Sequence, residues 1–470
     1  MRKKTAYLVG IKGVAMTALA VYLKEKGFSV TGSDVPEEFV TDEILKKNKI
    51  PVKKGFFPEN IDLKYDLVAV TGAHGGMTNP EAVKAKEIGL PVYMHGEILG
   101  RLMEEQEGIS VAGCHGKTTT SAMVASILVH AGLDPSYAVG TARINDLGNA
   151  GHFGHGKFFV AEADEYLTCP ATCRTPRFLW QKPKILLVTN IDYDHPDAFK
   201  DIEDVQQAFC KLAENTTDDG TIIACIDNEN IVKILPDIGK PVVTYGFSPQ
   251  AQYRIIKAYF GEGISFMRVI HQGMDLGEFM VKLSGRHNLL NSLGAAIAAN
   301  LAGVGWTEIK EHLKKFSGTK RRLEKVGETR KILFYDDYAH HPNEIVATLD
   351  GVKNWFPQRH LVVIFQPHTY SRTKSLFIEF TKAFKAADTV IITDIYPSAR
   401  EKFDPLINSK MLVKEINKHE NKAVYLPDIE KTIAFLEKNV REGSLILTMG
   451  AGDVYLWQKD LMKRLIKHAK

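Results

Sequence analysis

The amino-acid sequence predicts an α/β fold with three domains, and three observations support this class. Apolar, strand-like segments alternate with helical segments along the whole chain, which is typical of helices packed on parallel sheets. Several strands end directly in glycine-rich or polar loops, where ligands bind in open α/β sheets. The length of 470 residues is sufficient for several domains. We expect domains at residues 1–104, 105–319 and 320–470.

The composition is that of an ordinary globular protein. Hydrophobic residues make up 44% of the chain and charged residues 25%, and the formal net charge is +4. A charge this small gives no support to a nucleic-acid partner, and no apolar run is long enough to span a membrane. The five cysteines are odd in number and irregularly spaced, which favours reduced thiols and a cytoplasmic protein. We expect a monomer or a weak homodimer.

The first domain begins with a strand, a glycine turn and a helix. Thr5–Val9 is an apolar strand, Gly10 and Gly13 form the turn, and an acid, Asp34, follows the next strand. Such a βαβ unit commonly binds a nucleotide diphosphate at the turn and a ribose at the acid. The fingerprint is imperfect, because Lys12 stands where its second glycine is expected. A turn with only a structural role is the alternative.

The central domain begins with the features of a phosphate-binding loop. A buried strand leads into Gly113–Gly116, and Lys117 opens a long apolar helix. Glycines allow backbone N–H groups to face an anion, and the helix N-terminus adds a favourable dipole. Lys117 can reach the β- and γ-phosphates of a nucleotide, and the Thr118 hydroxyl can bind Mg²⁺. The alternative is an ordinary strand–helix turn with an exposed lysine. Because Cys114 lies in the phosphate loop, we expect its thiol to be sensitive to alkylation.

Two further strands of the central domain end in polar clusters. Phe158–Ala161 leads into an acidic segment that begins at Glu162, and Ile185–Val188 leads into a segment that ends at His195. Loops at the carboxyl ends of parallel strands lie close together. We therefore expect Thr118, Glu162 and His195 to hold Mg²⁺ against nucleotide phosphates. The alternatives are a surface acid and a loop histidine with no ligand.

A polar segment also opens a later helix. Gly285–Asn288 precedes an alanine-rich helix that is predicted at residues 292–302. His287 and Asn288 can face the edge of a purine base. The alternative for Asn288 is a helix cap.

The third domain again brings polar loops to its strand ends. Strands are predicted at Leu361–Phe365, Thr389–Thr393 and Ser444–Thr448. The loops after the first two carry Arg372 and Arg400, which can bind a carboxylate or phosphate through two parallel hydrogen bonds.

Together these motifs resemble the Mur ligase family of peptidoglycan synthesis. In chain order they are Gly-Cys-His-Gly-Lys-Thr-Thr (113–119), Glu-Ala-Asp-Glu (162–165), Thr-Asn-Ile-x-x-Asp-His (189–195), Gly-Arg-His-Asn (285–288), Lys-Arg-Arg (320–322), Asp-Asp-Tyr-Ala-His-His-Pro (336–342), Phe-Gln-Pro-His-x-Tyr-Ser-Arg-Thr (365–373) and Gly-Ala-Gly-Asp (450–453). The match covers the whole chain. Within the family, it most resembles the members that join L-alanine to UDP-N-acetylmuramate.

The resemblance implies a Rossmann-like domain for the UDP-sugar, a central P-loop ATPase domain and a Rossmann-like C-terminal domain for the amino acid. It also implies a reaction that uses ATP and Mg²⁺. The lactyl carboxylate of UDP-N-acetylmuramate attacks the γ-phosphate of ATP and forms an acyl phosphate. The amine of L-alanine then attacks the acyl carbon, and ADP and phosphate are released.

The family motifs also imply roles for individual residues. The residues implied in catalysis are Lys117, Glu162 and His195, and those implied at the metal are Thr118, Glu162 and His195. The residues implied in ATP binding are Gly113, Cys114, His115, Gly116, Lys117, Thr118, Thr119, His287, Asn288, Asn291, Arg322 and Asp337. The residues implied in UDP-sugar binding are Gly10, Gly13, Asp34, His115, Asn149 and His152. The residues implied in amino-acid binding are Tyr338, His340, His341, His368 and Arg372.

Departures from the family pattern leave the acceptor open. The stretch Tyr166–Pro183 differs from the alanine-adding members, and Glu-Ala-Asp-Glu-Tyr at 162–166 resembles the related ligase that recycles whole murein tripeptide. The segments Phe365–Thr373 and Ser398–Glu401 instead resemble the alanine-adding members. Outside the family, the alternatives are a regulatory P-loop NTPase and a nicotinamide oxidoreductase. The first leaves the histidine- and arginine-rich third domain unexplained, and Lys12 counts against the second.

Overall fold

The computed structural model describes residues 2–194, 198–397, 401–418 and 420–467. These residues form three large sheets with surrounding helices, so the predicted α/β class is confirmed. The chain divides into two compact units. The first comprises Met1–Ala258, Phe266–Val281 and Asn288–Lys320, and the second comprises Tyr259–Ser265, Lys282–His287 and Arg321–Lys470. Among the described residues, no helix combines the length and apolar character that crossing a membrane requires.

The first sheet has five parallel strands in the order β3-β2-β1-β4-β5. Its elements are β1 (Thr5–Val9), α1 (Val14–Glu25), β2 (Ser29–Asp34), α2 (Asp42–Lys47), β3 (Val52–Lys54), β4 (Leu67–Val70), α3 (Pro80–Glu87), β5 (Val92–Met94) and α4 (His95–Met103). All four residues of β4 are buried. Such continuous apolar strands are typical of parallel sheets that are covered on both faces.

The second sheet has ten strands in the order β17-β16-β15-β14-β13-β12-β6-β9-β7-β8. Its strands are β6 (Glu107–Ala112), β7 (Ser136–Ala138), β8 (Gly151–His152), β9 (Phe158–Ala163), β12 (Ile185–Val188), β13 (Thr221–Cys225), β14 (Val242–Gly246), β15 (Tyr253–Gly261), β16 (Ile264–His271) and β17 (Met274–Val281). A separate hairpin pairs β10 (Leu167–Cys169) with β11 (Cys173–Pro176). The helices are α5 (Lys117–His130), α6 (Ile202–Glu214), α7 (Glu229–Ile234), α8 (Arg286–Leu301) and α9 (Trp306–Lys315).

The register of three neighbouring strands positions the candidate site. Strand β6 lies between β12 and β9 and is parallel to both. Ala112 at the end of β6 is paired with Val188 of β12 and with Ala163 of β9. The loops that follow these three strands therefore leave the same edge of the sheet.

Helix α1 packs against both of the first two sheets. Leu19 and Tyr22 belong to a buried cluster that also contains Phe159 of β9, and the rings of Tyr22 and Phe159 are 5.2 Å apart. Gly151 of β8, a strand of the same sheet, lies so close to α1 that an added Cβ would be 1.9 Å from the Ala18 carbonyl oxygen. The buried cluster also contains Leu8 of β1, so the first two sheets share one apolar core.

The third sheet has six strands in the order β18-β19-β23-β20-β21-β22, and only β18 is antiparallel to its neighbour. Its elements are β18 (Glu324–Thr329), β19 (Ile332–Asp337), α10 (Pro342–Trp355), β20 (Leu361–Phe365), α11 (Tyr370–Ser375), α12 (Phe377–Ala383), β21 (Thr389–Ile392), α13 (Ser409–Ile416), β22 (Ala423–Tyr425), α14 (Ile429–Asn439), β23 (Leu445–Met449) and α15 (Trp457–Lys467). Phe365 is fully buried between the rings of Phe380 and Phe384.

The predicted strands at Thr5–Val9, Ile185–Val188 and Leu361–Phe365 are confirmed with the same bounds. The helix expected at residues 292–302 was placed too late, because α8 already begins at Arg286. Gly285 has a φ of +88°, a left-handed conformation that glycine adopts readily, and the chain enters the helix immediately after it.

We predict that Gly151→Ala destabilises the first unit, because the new methyl group would overlap the Ala18 carbonyl of α1. Overpacking of this kind costs about 1–3 kcal/mol of the free energy of unfolding. The measurement is the midpoint of thermal unfolding. Gly239→Ala is the matched control, because nothing lies within 4 Å of a Cβ added there. An equal midpoint for the two variants would contradict the close packing of β8 on α1.

Candidate functional site

The predicted phosphate loop connects β6 to the N-terminus of α5. Gly113 and Gly116 have φ angles of +137° and +82°, which side chains with a Cβ rarely adopt. Lys117 is the first residue of α5. The loop and the helix N-terminus therefore have the backbone conformation that lets N–H groups face an anion.

The loop after β12 holds the phosphate loop in place. The Asn190 side chain accepts a hydrogen bond from the His115 backbone N–H at 2.8 Å and donates one to the His115 carbonyl at 2.7 Å. The Thr189 hydroxyl donates to the same carbonyl at 2.7 Å. Two side chains at the end of a neighbouring strand thus fix the backbone at the centre of the loop.

Lys117 is a buried cation with three acceptors. Its Nζ donates to the carbonyl oxygens of Gly113 at 2.6 Å and Cys114 at 3.2 Å, and to Glu165 Oε2 at 2.8 Å. Burial opposes the charge on Lys117, but the attraction of Glu165, with smaller contributions from Asp164 and other groups, outweighs it and raises the pKa above its ordinary value. The ammonium group therefore stays charged at the start of α5.

Glu162 and Thr118 are brought together as expected for a metal site. The Thr118 hydroxyl donates to Glu162 Oε1 at 2.8 Å, and the Gly140 N–H donates to Glu162 Oε2 at 2.7 Å. Burial raises the pKa of Glu162, and the nearby Asp164 carboxylate adds to this shift. A hydroxyl and carboxylates are the oxygen ligands that Mg²⁺ prefers, and a divalent cation would offset their repulsion. His195, the third expected ligand, lies outside the described residues.

The first turns of α8 approach the phosphate loop. A Cβ added at Gly116 would lie 2.6 Å from Asn291 Oδ1, and Asn291 Nδ2 donates to Asn288 Oδ1 at 3.2 Å. His287 and Asn288 lie within the helix, not in a loop before it. Thr119 follows Lys117 and Thr118 in the first turn of α5 and is 6% exposed.

The thiol of Cys114 is buried in the phosphate loop. It is 7% exposed, and its sulfur contacts the backbone of Asp192. Burial raises the pKa of the thiol well above its ordinary value, and the Glu165 carboxylate adds to the shift. Because the thiolate is the reactive form, the burial and the raised pKa both oppose alkylation of Cys114 near neutral pH, and the expected sensitivity to alkylation stays a prediction.

In the first sheet, Gly10 and Asp34 together shape the turn between β1 and α1. Gly10 has a φ of +77°. Asp34 is 1% exposed and accepts hydrogen bonds from the backbone N–H groups of Lys12 at 2.7 Å and Val35 at 2.8 Å. Gly13 is the N-terminal cap of α1. The buried Asp34 carboxylate therefore supports the turn from within, and the ribose contact expected of this acid stays a prediction.

The Lys12 side chain leaves the turn. Its Nζ donates to the carbonyl oxygens of Val35 at 3.0 Å and Glu37 at 2.8 Å, and it lies 3.5 Å from Asp42. Lys12, which stands in place of a glycine of the fingerprint, therefore holds the segment after β2 close to the turn.

Asn149 and His152 lie near the first sheet and contact other side chains there. Asn149 Oδ1 accepts a hydrogen bond from Asn48 at 3.3 Å. His152 lies 2.6 Å from Glu25 and 3.4 Å from Asp134, and these carboxylates raise its pKa. His152 therefore contacts the end of α1 and the loop before β7. His115 of the phosphate loop lies 3.3 Å from Asp192.

In the second unit, a buried carboxylate ends β19. Asp337 accepts hydrogen bonds from the backbone N–H groups of Leu323 and Ala339, each at 2.7 Å. Burial raises the pKa of Asp337 to about 6, although the positive charge of Arg322 opposes this shift. Arg322 lies 3.9 Å from Glu344 and 5.2 Å from the centre of the Tyr338 ring. Asp337 and Arg322, both expected at the nucleotide, are thus close to one another.

Three of the residues expected at the amino acid form one cluster in the second unit. The His340 ring lies 5.2 Å from the ring of Tyr338 and 5.7 Å from that of His368. His341 is 4% exposed and caps α10, where its side chain accepts a hydrogen bond from the Asn343 N–H. Arg372 is 7% exposed on α11. Arg400 lies outside the described residues.

The sequence-based site omitted three residues that the structure places in it. Glu165 pairs with Lys117, Asn190 fixes the phosphate loop, and Arg321 donates to Asp336 and to the carbonyl oxygens of Gly450 and Gly452. Each lies within a motif that the sequence displays. Their partners come from distant segments, so the motifs alone did not distinguish them from their neighbours.

Three family models of Mur ligase domains match successive segments of the chain. "Mur ligase family, catalytic domain" matches residues 5–107, "Mur ligase middle domain" matches residues 111–299, and "Mur ligase, glutamate ligase domain" matches residues 321–452. A relative named UDP-N-acetylmuramate–L-alanine ligase, from Desulfitobacterium hafniense, is 40% identical over 450 residues, which cover 96% of this chain and 97% of the relative.

Two solved structures extend the likeness to three dimensions. The UDP-N-acetylmuramate–alanine ligase of Thermotoga maritima has a TM-score of 0.80 and 28% identity, covering 98% of this chain and 99% of that one. A murein peptide ligase of Psychrobacter arcticus has a TM-score of 0.72 and 24% identity, covering 98% and 99%, and shows the shared fold. With matches along nearly the whole sequence, this chain belongs to the Mur ligase family.

Proposed function

We propose that this protein is an ATP-dependent ligase that joins L-alanine to the lactyl carboxylate of UDP-N-acetylmuramate in peptidoglycan synthesis. The observation that carries the proposal is the buried Lys117 at the start of α5, next to the Thr118–Glu162 pair. This arrangement suits the transfer of a phosphoryl group. The similarity to alanine-adding ligases along nearly the whole chain supports the choice of substrates.

The proposed reaction has two steps. A carboxylate oxygen of the sugar attacks the γ-phosphorus of ATP, the bond to the β–γ bridging oxygen breaks, and ADP leaves. The amine of L-alanine then attacks the acyl carbon, loses a proton, and displaces inorganic phosphate. Lys117 stabilises charge on the transferred group, which is where electrostatic catalysis is most effective.

We propose that Thr118 and Glu162 hold Mg²⁺, with His195 as a further ligand. The fit rests on the partly buried, mutually repelling carboxylates of Glu162 and Asp164 beside a hydroxyl donor. Mg²⁺ would supply positive charge to the nucleotide phosphates. The nucleotide itself would be bound by the phosphate loop, by α8, and by the second unit. The residues proposed for these contacts are Gly113, Cys114, His115, Gly116, Thr119, His287, Asn288, Asn291, Arg322 and Asp337.

We propose that the first sheet binds the UDP-sugar and that the second unit binds the amino acid. Gly10, Gly13 and Asp34 form the turn proposed for the UDP group, with His115, Asn149 and His152 on the sugar side. The residues proposed around L-alanine are Tyr338, His340, His341, His368 and Arg372. We propose domain boundaries after residues 104 and 319, which separate the domains proposed for the UDP-sugar, for ATP and for the amino acid. A cytoplasmic location and a monomer or weak homodimer complete the proposal.

A second candidate acceptor is the murein tripeptide. The observation that favours it is the sequence Glu-Ala-Asp-Glu-Tyr at residues 162–166, which resembles that of the recycling ligases. The hairpin of β10 and β11 follows it. A tripeptide acceptor would keep the same chemistry, because its N-terminal amine would attack the same acyl phosphate.

The test is phosphate release from ATP with Mg²⁺ and UDP-N-acetylmuramate, with L-alanine or L-alanyl-γ-D-glutamyl-diamino acid added in parallel. We expect release that requires L-alanine and a product heavier by one alanyl residue in mass spectrometry. Release with the tripeptide alone would identify a recycling ligase. Release that needs neither the UDP-sugar nor an acceptor would identify an NTPase and contradict the proposal.

We predict that Lys117→Ala lowers kcat by about 100-fold or more, because a preorganised donor to the transition state is lost. Binding of UDP-N-acetylmuramate, measured by calorimetry, should change little. Because Lys117→Ala also leaves the buried Glu165 without its cation, the variant Lys117→Ala/Glu165→Gln separates catalysis from stability. Lys182→Ala, on an exposed surface, is the control. Turnover close to the unmodified rate in the double variant would exclude the phosphate-loop role.

We predict that Arg372→Ala raises the KM for L-alanine by about 10-fold or more, because a hydrogen bond between charged groups contributes about 1.5–3 kcal/mol. The KM for ATP should change much less. Lys374→Ala on the same helix is the matched control, because the Lys374 side chain is half exposed and pairs with Asp404. An unchanged dependence on L-alanine would exclude Arg372 from the acceptor site.

A further inference from the structure

One segment connects the acidic cluster at the end of β9 to the first sheet. It contains β10, β11 and a 3-10 turn at Arg177–Trp180; we call residues 166–180 the connecting hairpin. The Arg177 N–H donates to the Tyr166 carbonyl and the Phe178 N–H donates to the Asp164 carbonyl, both at 2.9 Å. The hairpin therefore returns to the end of β9, next to the candidate ATP site.

The connecting hairpin fits closely against the first sheet. A Cβ added at Gly72, in the loop after β4, would lie 2.3 Å from the Thr168 carbonyl oxygen. A Cβ added at Gly100, in α4, would lie 2.1 Å from the Trp180 carbonyl oxygen. Because both contacts are with backbone atoms, a side chain at either position would force the two segments apart.

A continuous chain of polar contacts passes through this interface. His95 Nε2 lies 3.1 Å from the Ala15 carbonyl oxygen, and His95 Nδ1 is hydrogen-bonded to Arg177. Arg177 in turn lies 3.2 Å from Asp164 Oδ2 and also contacts the Tyr166 hydroxyl. The Tyr166 hydroxyl donates to Asp164 at 2.9 Å. The Arg177 side chain is 13% exposed, so these contacts are largely shielded from water.

The chemistry of the contacts fixes the state of His95. A carbonyl oxygen can only accept, so Nε2 carries the proton that is donated to Ala15. Arginine can only donate, so Nδ1 is unprotonated and accepts from Arg177. Burial and the Arg177 charge both lower the pKa of His95 well below its ordinary value, which agrees with a neutral ring. Arg177 therefore binds a neutral acceptor on one side and a carboxylate on the other.

The two ends of this chain lie at the two proposed nucleotide sites. Ala15 belongs to the first turn of α1, directly after the Gly10–Gly13 turn. Asp164 lies between Glu162, which contacts Thr118, and Glu165, which contacts Lys117. A displacement of the α1 N-terminus would therefore be transmitted through Arg177 to the acidic residues around Lys117.

We propose that Arg177 is a positioning residue that couples UDP-sugar binding at the α1 turn to nucleotide binding at Lys117. The inference rests on the proposed function, because it needs both ligands. The guanidinium group has several donors in a rigid planar arrangement, so it binds His95 and Asp164 at the same time. Each ligand, by fixing its own end of the chain, lowers the cost of ordering the other end.

The test measures the affinity for a non-hydrolysable ATP analogue with Mg²⁺ by calorimetry, with and without saturating UDP-N-acetylmuramate. We expect the UDP-sugar to tighten binding in the unmodified protein by a factor between about 5 and 150, the usual range of coupling between sites. In Arg177→Met the factor should fall close to one. Arg174→Met, an exposed position on the same hairpin, is the matched control and should retain the factor.

Two variants of His95 test the same series of polar contacts from the end that lies at α1. His95→Gln retains one donor and one acceptor, so coupling should persist. His95→Leu removes both, so coupling should be lost even if Arg177→Met does not fold. A residue with only a structural role would weaken each ligand alone and lower the unfolding midpoint, but it would leave the ratio of affinities unchanged.

The outcomes separate this inference from the proposed function. Coupling through Arg177 is wrong if the unmodified protein forms the alanyl product but the UDP-sugar changes the affinity for the ATP analogue by a factor near one. It is also wrong if Arg177→Met folds and keeps the full factor. In both cases the ligase proposal stands. If the unmodified protein does not bind UDP-N-acetylmuramate, both proposals are wrong. The coupling through Arg177 is supported if the UDP-sugar no longer tightens binding of the ATP analogue in Arg177→Met and His95→Leu. The tightening should persist in Arg174→Met and His95→Gln.

Discussion

A buried ammonium group among carboxylates is the constraint on which the first unit depends. Lys117 Nζ lies 2.8 Å from Glu165 in a site from which water is largely excluded. A buried charge is tolerated only when it is paired, so β9 must bring its acids to the start of α5. The parallel register does this, because Glu162 of β9 is opposite Val111 of β6. The phosphate loop that follows β6 then has its cation and its acids within hydrogen-bond distance.

In the second unit, the buried charge that is paired with a carboxylate belongs to an arginine. Arg321 is 7% exposed, and it donates to Asp336 at 3.0 Å and to the Gly450 carbonyl at 2.5 Å. Its guanidinium carbon also lies 4.2 Å from the centre of the Tyr455 ring. Since β19 and β23 are adjacent and parallel, one planar cation joins the loops at two strand ends. In each unit, the loops that carry the proposed ligand contacts are thus fixed by a buried charge.

Much of the fold could be predicted because strands, glycine turns and helix starts have local signals. The strand end at Ile109–Ala112 and the phosphate loop after it lie within a dozen residues, and the structure contains both at these positions. What could not be predicted depends on distant partners. The hydrogen bonds of Asp34 depend on the backbone of Lys12, and the packing of the connecting hairpin depends on Gly100 in α4. A motif identifies a residue type, whereas only the fold decides what that residue contacts.

The hydrogen bonds of Lys117 also restrict how a nucleotide can be bound. An ammonium group has three hydrogens, and the acceptors in the structure are Gly113 O, Cys114 O and Glu165 Oε2. A phosphate oxygen can therefore be bound only in exchange for one of them. The bond to Glu165 is between charged groups and is the strongest kind. The bond to Cys114 O is the longest, at 3.2 Å, so its exchange for a phosphate oxygen costs least. Such an exchange keeps the Lys117–Glu165 pair intact and replaces a neutral acceptor with an anionic one, so the loop gains a stronger bond when it binds the nucleotide.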